Sequence, residues 1–147
     1  MKLKSSAYGN GGKIPQKYAK EGVGSNISQP FSWLEVPDGT KSFVLTVLDE
    51  SANNFIHWQV INIPADVTIL DEGSSGNMPQ GSEELENDFG RSGYDGLLPP
   101  SGSGPHKYIT TVYALNVEKI EPPTDSLRSA IEGKVLDLAK LTGIFER

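Results

Sequence analysis

Ser42-Phe43-Val44-Leu45-Thr46-Val47-Leu48-Asp49 is the stretch on which the fold turns. It is an almost continuous apolar run, rich in β-branched residues and short, so it reads as a central strand covered on both faces. A polar break, Glu50 to Asn54, leads into Phe55-Ile56-His57-Trp58-Gln59-Val60-Ile61-Asn62-Ile63, and Pro64 ends that run because it cannot donate to a ladder. So short a break predicts an antiparallel pair. Lys107 to Asn116 supplies a third strand, in which Tyr108, Ile109, Thr110, Thr111, Val112 and Tyr113 all favour a pleated surface. Together the three predict a mainly β domain built on an antiparallel sheet.

Outward from this centre the pattern weakens. Residues 1–29 carry Gly9, Gly11, Gly12, Gly22 and Gly24 among scattered apolar residues and read as irregular, with Ile14-Pro15 as an edge. Between the second and third strands, Asp71 to Pro105 is rich in Gly, Ser, Pro and acidic residues, a functional loop packed down by Phe89, Tyr94 and Pro99-Pro100. Beyond Pro122-Pro123, residues Leu127, Ala130, Ile131, Val135, Leu138 and Leu141 recur at helical spacing. Thr124 or Asp125 serves as N-cap, Gly143 lies past the end, and Gly133 is a point of division. This predicts a C-terminal helix packed on the sheet. No repeat or linker divides the chain, so residues 1–147 form one domain.

Composition excludes several functions. A net charge of −6, with no Lys/Arg cluster longer than two residues, would repel a phosphate backbone and argues against nucleic acid. No run approaches the roughly eighteen apolar residues of a membrane span, and the start, Met1-Lys2-Leu3-Lys4-Ser5-Ser6, lacks the apolar core of a signal peptide. The expectation is a soluble, cytoplasmic protein. The chain has no cysteine, which removes disulfides, thiolate nucleophiles and Cys-based zinc sites. G-x-S-x-G, G-x-x-x-x-G-K-[ST] and G-x-G-x-x-G are absent, so no enzyme motif and no cofactor is expected.

The chemistry that remains sits at strand ends. The two histidines, His57 and His106, border the polar break and the long loop. Each alone reads more simply as a hydrogen-bonded core residue, His57 sharing a face with Phe55 and Gln59. Asp49 closes the first strand, where a turn cap is as good a reading as a functional carboxylate. Tyr94 and Tyr108 bring phenolic donors beside the same loop. His57, His106 and Asp49 also make a two-histidine, one-carboxylate set, which keeps a metal-dependent enzyme as a minor alternative.

Two blocks of sequence change the balance. Gly93-Tyr94-Asp95-Gly96-Leu97-Leu98-Pro99-Pro100-Ser101-Gly102, then His106-Lys107-Tyr108 and Tyr113-Ala114-Leu115, resembles the second signature of the phosphatidylethanolamine-binding proteins, the Raf-kinase-inhibitor-like group of prokaryotic type. That signature runs G-Y-x-G-P-x-P-P-x-G, H-x-Y, Y-A-L. Upstream, Asn26-Ile27-Ser28-Gln29-Pro30-Phe31-Ser32-Trp33 and Gly39-Thr40-Lys41-Ser42 look like the approach to the family's first central strand, and Asn87-Asp88-Phe89-Gly90 is similar to its bacterial and archaeal members. The first signature, D-P-D-A-P followed by H-W, is here Asp49-Glu50-Ser51-Ala52-Asn53 with His57-Trp58, and Leu97 replaces a proline of the second.

The resemblance implies a β-sandwich of a large antiparallel central sheet and a smaller sheet, with a C-terminal helix. It implies that Asp49, His57, His106 and Tyr108 line one small pocket walled by Gly96, Pro99 and Pro100. The expected ligand is a small anion or a phosphorylated, phospholipid-like head group, because imidazole and phenol donors suit phosphate oxygens. The implied role is non-enzymatic binding, with a protein kinase or a serine protease as a partner to be inhibited. An alternative is protease inhibition through the exposed loop from Asp71 to Gly93. Prokaryotic members of the family often pair, which adds a homodimer to the expectations.

Overall fold

In the computed structural model, which describes residues 1–147, the chain forms nine strands and one short α-helix. In order these are β1 (Lys2–Lys4), β2 (Gly12–Lys13), β3 (Phe31–Leu34), β4 (Ser42–Asp49), β5 (Phe55–Pro64), β6 (Ile69–Leu70), β7 (Glu83–Glu84), β8 (His106–Leu115), α1 (Leu127–Ile131) and β9 (Val135–Phe145). A six-stranded sheet has the order β2-β9-β8-β4-β5-β7, and a three-stranded sheet the order β1-β3-β6. Every pairing is antiparallel except that of β2 with β9. No helix is long and apolar enough to cross a membrane.

The continuous apolar run does what its composition predicts. β4 lies between β5 and β8, and every residue of it but Leu48 is buried. One face of the large sheet meets the small sheet in a core of 22 buried residues that includes Trp33, Phe43, Trp58 and Tyr108. Trp33 and Phe43 join the two sheets edge to face, with ring centroids 5.3 Å apart. On the opposite face Val44, Ile61 and Leu115 pack with Ile120, Leu127 and Ile131, so α1 covers that side.

The C-terminal helix is far shorter than its apolar spacing predicts. α1 ends at Ile131, its N-cap is Ser126, whose Oγ accepts from the Ser129 amide at 3.1 Å, and Gly133 at φ +78° turns the chain out of the helix. Val135 to Phe145 is instead the strand β9, paired along the whole of β8. Ala139, Leu141, Gly143 and Phe145 are buried while Lys140 is exposed, an alternation of period two that overrides the coincidental helical spacing. Gly143 therefore lies inside a strand. A Cβ there would sit 2.5 Å from Ile14 Cγ1 and 2.7 Å from Tyr8 Cε2, so only glycine lets these side chains cross β9.

Candidate functional site

At one end of the large sheet three strand termini converge. Asp49 is the last residue of β4, and its register partners are Phe55 on β5 and Tyr108 on β8. Leu48 pairs with Ile56 while Val47 pairs with Trp58, so His57 is the extra residue of a bulge. The bulge aims the His57 ring at Tyr108, with centroids 5.5 Å apart, and between Phe55 and Phe89 at 5.2 and 5.6 Å. His106 opens β8 and stacks on the same Tyr108 ring at 6.4 Å. Asp49, His57, His106 and Tyr108, separated by up to 59 positions in sequence, thus form one buried contact cluster.

Each polar group has a definable role. His106 Nδ1 lies 2.7 Å from Asp49 Oδ2, and its Nε2 lies 3.2 Å from Ser103 Oγ. His57 Nδ1 lies 2.8 Å from the Asp95 carbonyl oxygen, which can only accept, so this nitrogen carries the proton and Nε2 presents a lone pair. Burial lowers the His57 pKa below its ordinary value, against the opposing pull of the Asp95 and Gly96 backbone and of the Asp49 and Asp95 charges. Burial, with the Asp49 charge, raises that of Tyr108 far above the ordinary phenol. The Tyr108 hydroxyl and Asp49 Oδ1 have no hydrogen-bond partner in the protein. Such buried groups cost about 1–3 kcal/mol each, so the cluster holds unspent hydrogen-bonding capacity.

Gly96, Pro99 and Pro100 are each fixed by contacts of their own. A Cβ on Gly96 would collide with the backbone of Tyr18, Ala19 and Lys20, and its amide donates to Asn26 Oδ1 at 2.7 Å. Gly96 is therefore packed too tightly for a side chain, its N–H already committed. Pro99 O accepts from Arg147 Nε at 2.7 Å, and Pro100 O accepts from the Ser103 hydroxyl at 2.6 Å, which fixes the turn leading to His106.

Asp95, in the block that resembles the second signature, has a role that its sequence context does not reveal. Its side chain is fully buried and accepts from Arg91 Nε and Nη2 at 3.0 and 2.8 Å, Lys20 Nζ at 3.0 Å, Asn87 Nδ2 at 2.9 Å and Asn26 Nδ2 at 3.3 Å. Burial alone would push this carboxyl up, yet those donors hold it well below the usual carboxylate range. The hub anchors the segment whose carbonyl orients His57. No sequence signal ties Lys20, Asn26, Asn87 and Arg91 to one acid.

His57, His106 and Asp49 do not combine into a set of three or more metal-ligating side chains. The loop from Asp71 to Gly93 is tied down: Glu84 Oε1 accepts from Trp58 Nε1 at 2.7 Å and from Ser75 Oγ at 2.6 Å, and its Oε2 from the Gly76 amide at 2.8 Å.

Comparison with known proteins places this geometry in context. The family model described as phosphatidylethanolamine-binding protein matches residues 4–146. YbhB of Escherichia coli K12 is 42% identical over 130 residues, covering 82% of each chain, and a Methanothermobacter thermautotrophicus protein is 41% identical over 154 residues, covering 100% of this chain and 99% of that one. Among solved structures, E. coli YbcL, described as a member of the mammalian family of the same name, superposes with a TM-score of 0.92 at 32% identity, covering 99% of this chain and 98% of that one. A carboxypeptidase Y inhibitor in complex with its proteinase superposes with a TM-score of 0.52 at 19% identity, covering 92% and 76%, and shares the fold alone.

Proposed function

The chain belongs to the phosphatidylethanolamine-binding protein family, and from that premise we propose that it reversibly binds small anionic or phosphorylated groups through Asp49, His57, His106 and Tyr108, with Gly96, Pro99 and Pro100 as the wall. The observation that carries this reading is the meeting of both imidazoles on one phenol ring whose hydroxyl has no partner in the protein. A phosphate oxygen accepts from that hydroxyl, and an imidazole that gains a proton on binding completes the shell. Arg91 is committed to Asp95 and supplies no bidentate clamp, so affinity is weak. The phosphoryl group is held and released unchanged.

His57 adds a condition. Neutral, with its proton directed at the Asp95 carbonyl, it offers an anion only a lone pair. Binding therefore brings a proton, either on the phosphate, whose second pKa is about 6, or taken up by the ring. Affinity for phosphate and O-phosphoethanolamine should accordingly rise as pH falls from about 8 to about 6, across the second pKa of phosphate. NMR titration of both imidazoles at the two pH values, repeated with His57→Ala and His106→Ala, tests this. Shifts of both rings and weaker binding by each variant are expected. If neither ring responds, or both variants bind as the parent does, the reading is wrong.

A further inference from the structure

Asp49, His106 and Ser103 are joined in an order that anion binding does not use. Asp49 Oδ2 meets His106 Nδ1 at 2.7 Å, and His106 Nε2 meets Ser103 Oγ at 3.2 Å. Carboxylate, imidazole and hydroxyl stand in line, the acid on one ring nitrogen and the alcohol on the other. This is the arrangement in which a base activates a serine while a buried acid fixes the tautomer and orientation of the base. Burial follows the same direction: the Asp49 side chain is 5% exposed, that of His106 is 11% exposed, and Ser103 lies on the surface within reach of a substrate.

We propose that Ser103 is an activated nucleophile that accepts acyl groups from small esters, with His106 as its general base and Asp49 as the residue that positions the imidazole. The turn around Ser103 fits that task. The Ser103 amide donates to Pro100 O at 3.1 Å and the Gly102 amide to Arg147 O at 3.1 Å, which holds Oγ in place. The hydroxyl proton has two acceptors in reach, Pro100 O at 2.6 Å and His106 Nε2, and rotation about Cβ–Oγ transfers it between them without moving the oxygen. The N–H of Gly104, the residue after the nucleophile, makes no hydrogen bond within the protein. An amide in that position is the donor that steadies the oxyanion in serine hydrolases of another fold.

In the reaction Ser103 Oγ bonds to the ester carbonyl carbon as His106 Nε2 takes the hydroxyl proton. The bond from that carbon to the leaving oxygen then breaks, and the leaving group receives the proton from Nε2. Water, deprotonated by Nε2, attacks the acyl-serine, releases the carboxylic acid and restores the hydroxyl. A single amide as oxyanion donor makes this slow, since each such donor is worth about 100-fold or more. The activity shares His106 with the anion site, so inorganic phosphate should inhibit it competitively.

The test uses the full chain with p-nitrophenyl acetate and a fluorophosphonate probe, followed by mass spectrometry of the labelled residue. Expected are a label on Ser103, loss of label in Ser103→Ala, and hydrolysis reduced by about 100-fold or more in that variant and in His106→Gln. Because Ser103 is on the surface, its alanine variant should keep the parent's NMR spectrum, so loss of activity cannot be blamed on unfolding. A label elsewhere, no label at all, or undiminished hydrolysis by Ser103→Ala overturns the proposal. Phosphate-induced shifts of the imidazoles that persist in Ser103→Ala would leave the anion-binding reading standing either way.

Discussion

Asp95 and His57 form the most sharply defined pair of residues in the site, one charged and saturated with donors, the other neutral and held by a carbonyl. Replacing Asp95 with Asn leaves Lys20 and Arg91 without their counter-charge. A broken buried ion pair costs about 3–5 kcal/mol, but Arg91 is mostly solvated and can rehydrate, so about 2 kcal/mol is expected by urea denaturation. Both residues also make stability depend on pH with the same sign. Each has a folded-state pKa below its unfolded value, so the unfolded chain binds protons first and stability falls as pH falls. The His57 part is complete above about pH 6.5 and erodes below it, and the Asp95 part erodes below about pH 4. Urea midpoints between pH 7 and pH 3 should drop in these two stages, the first stage vanishing in His57→Gln. His57 was legible in the sequence because histidines are few and its strand is strong. The Asp95 hub was not, since its donors come from separate loops whose meeting is a tertiary fact.

At the scale of elements, the strands β4, β5 and β8 were legible because their apolar runs are short, β-branched and bounded by polar breaks. β9 was not, because Leu127, Ile131, Val135 and Leu138 satisfy a helical period by accident and the deciding alternation begins only at Ala139. The bulge at His57 was likewise invisible, as a one-residue register shift leaves no mark in composition. Gly143 tests the strand reading by experiment. Inside β9 an added methyl meets Ile14 and Tyr8. Gly143→Ala should cost about 1–3 kcal/mol by thermal or urea unfolding, the usual penalty of an overfilled core. Ser126→Ala, at the exposed cap of α1, should cost no more than about 1 kcal/mol.

At the scale of the whole molecule, the two-sheet architecture was legible through the likeness of its signatures to a known family, while the strand order was beyond any local pattern. The parallel docking of β2 on β9 is the clearest case: Gly11 N donates to Thr142 O and Ile14 N to Ile144 O, both at 2.8 Å, and the Met1 amine pairs with Asp137 across 136 positions. These contacts cannot form until almost the whole chain has been gathered into one loop, so their reward arrives after its entropic cost. The protein should therefore refold slowly, in milliseconds to seconds, with the β2–β9 seam closing after the main barrier. Ile14→Val, worth about 0.5–1.5 kcal/mol, should leave the refolding limb of a stopped-flow tryptophan-fluorescence chevron almost unmoved and appear as faster unfolding. A seam that forms last is also the first to part, so amides of Gly11 and Ile14 should exchange with solvent deuterium ahead of those of β4 and β8.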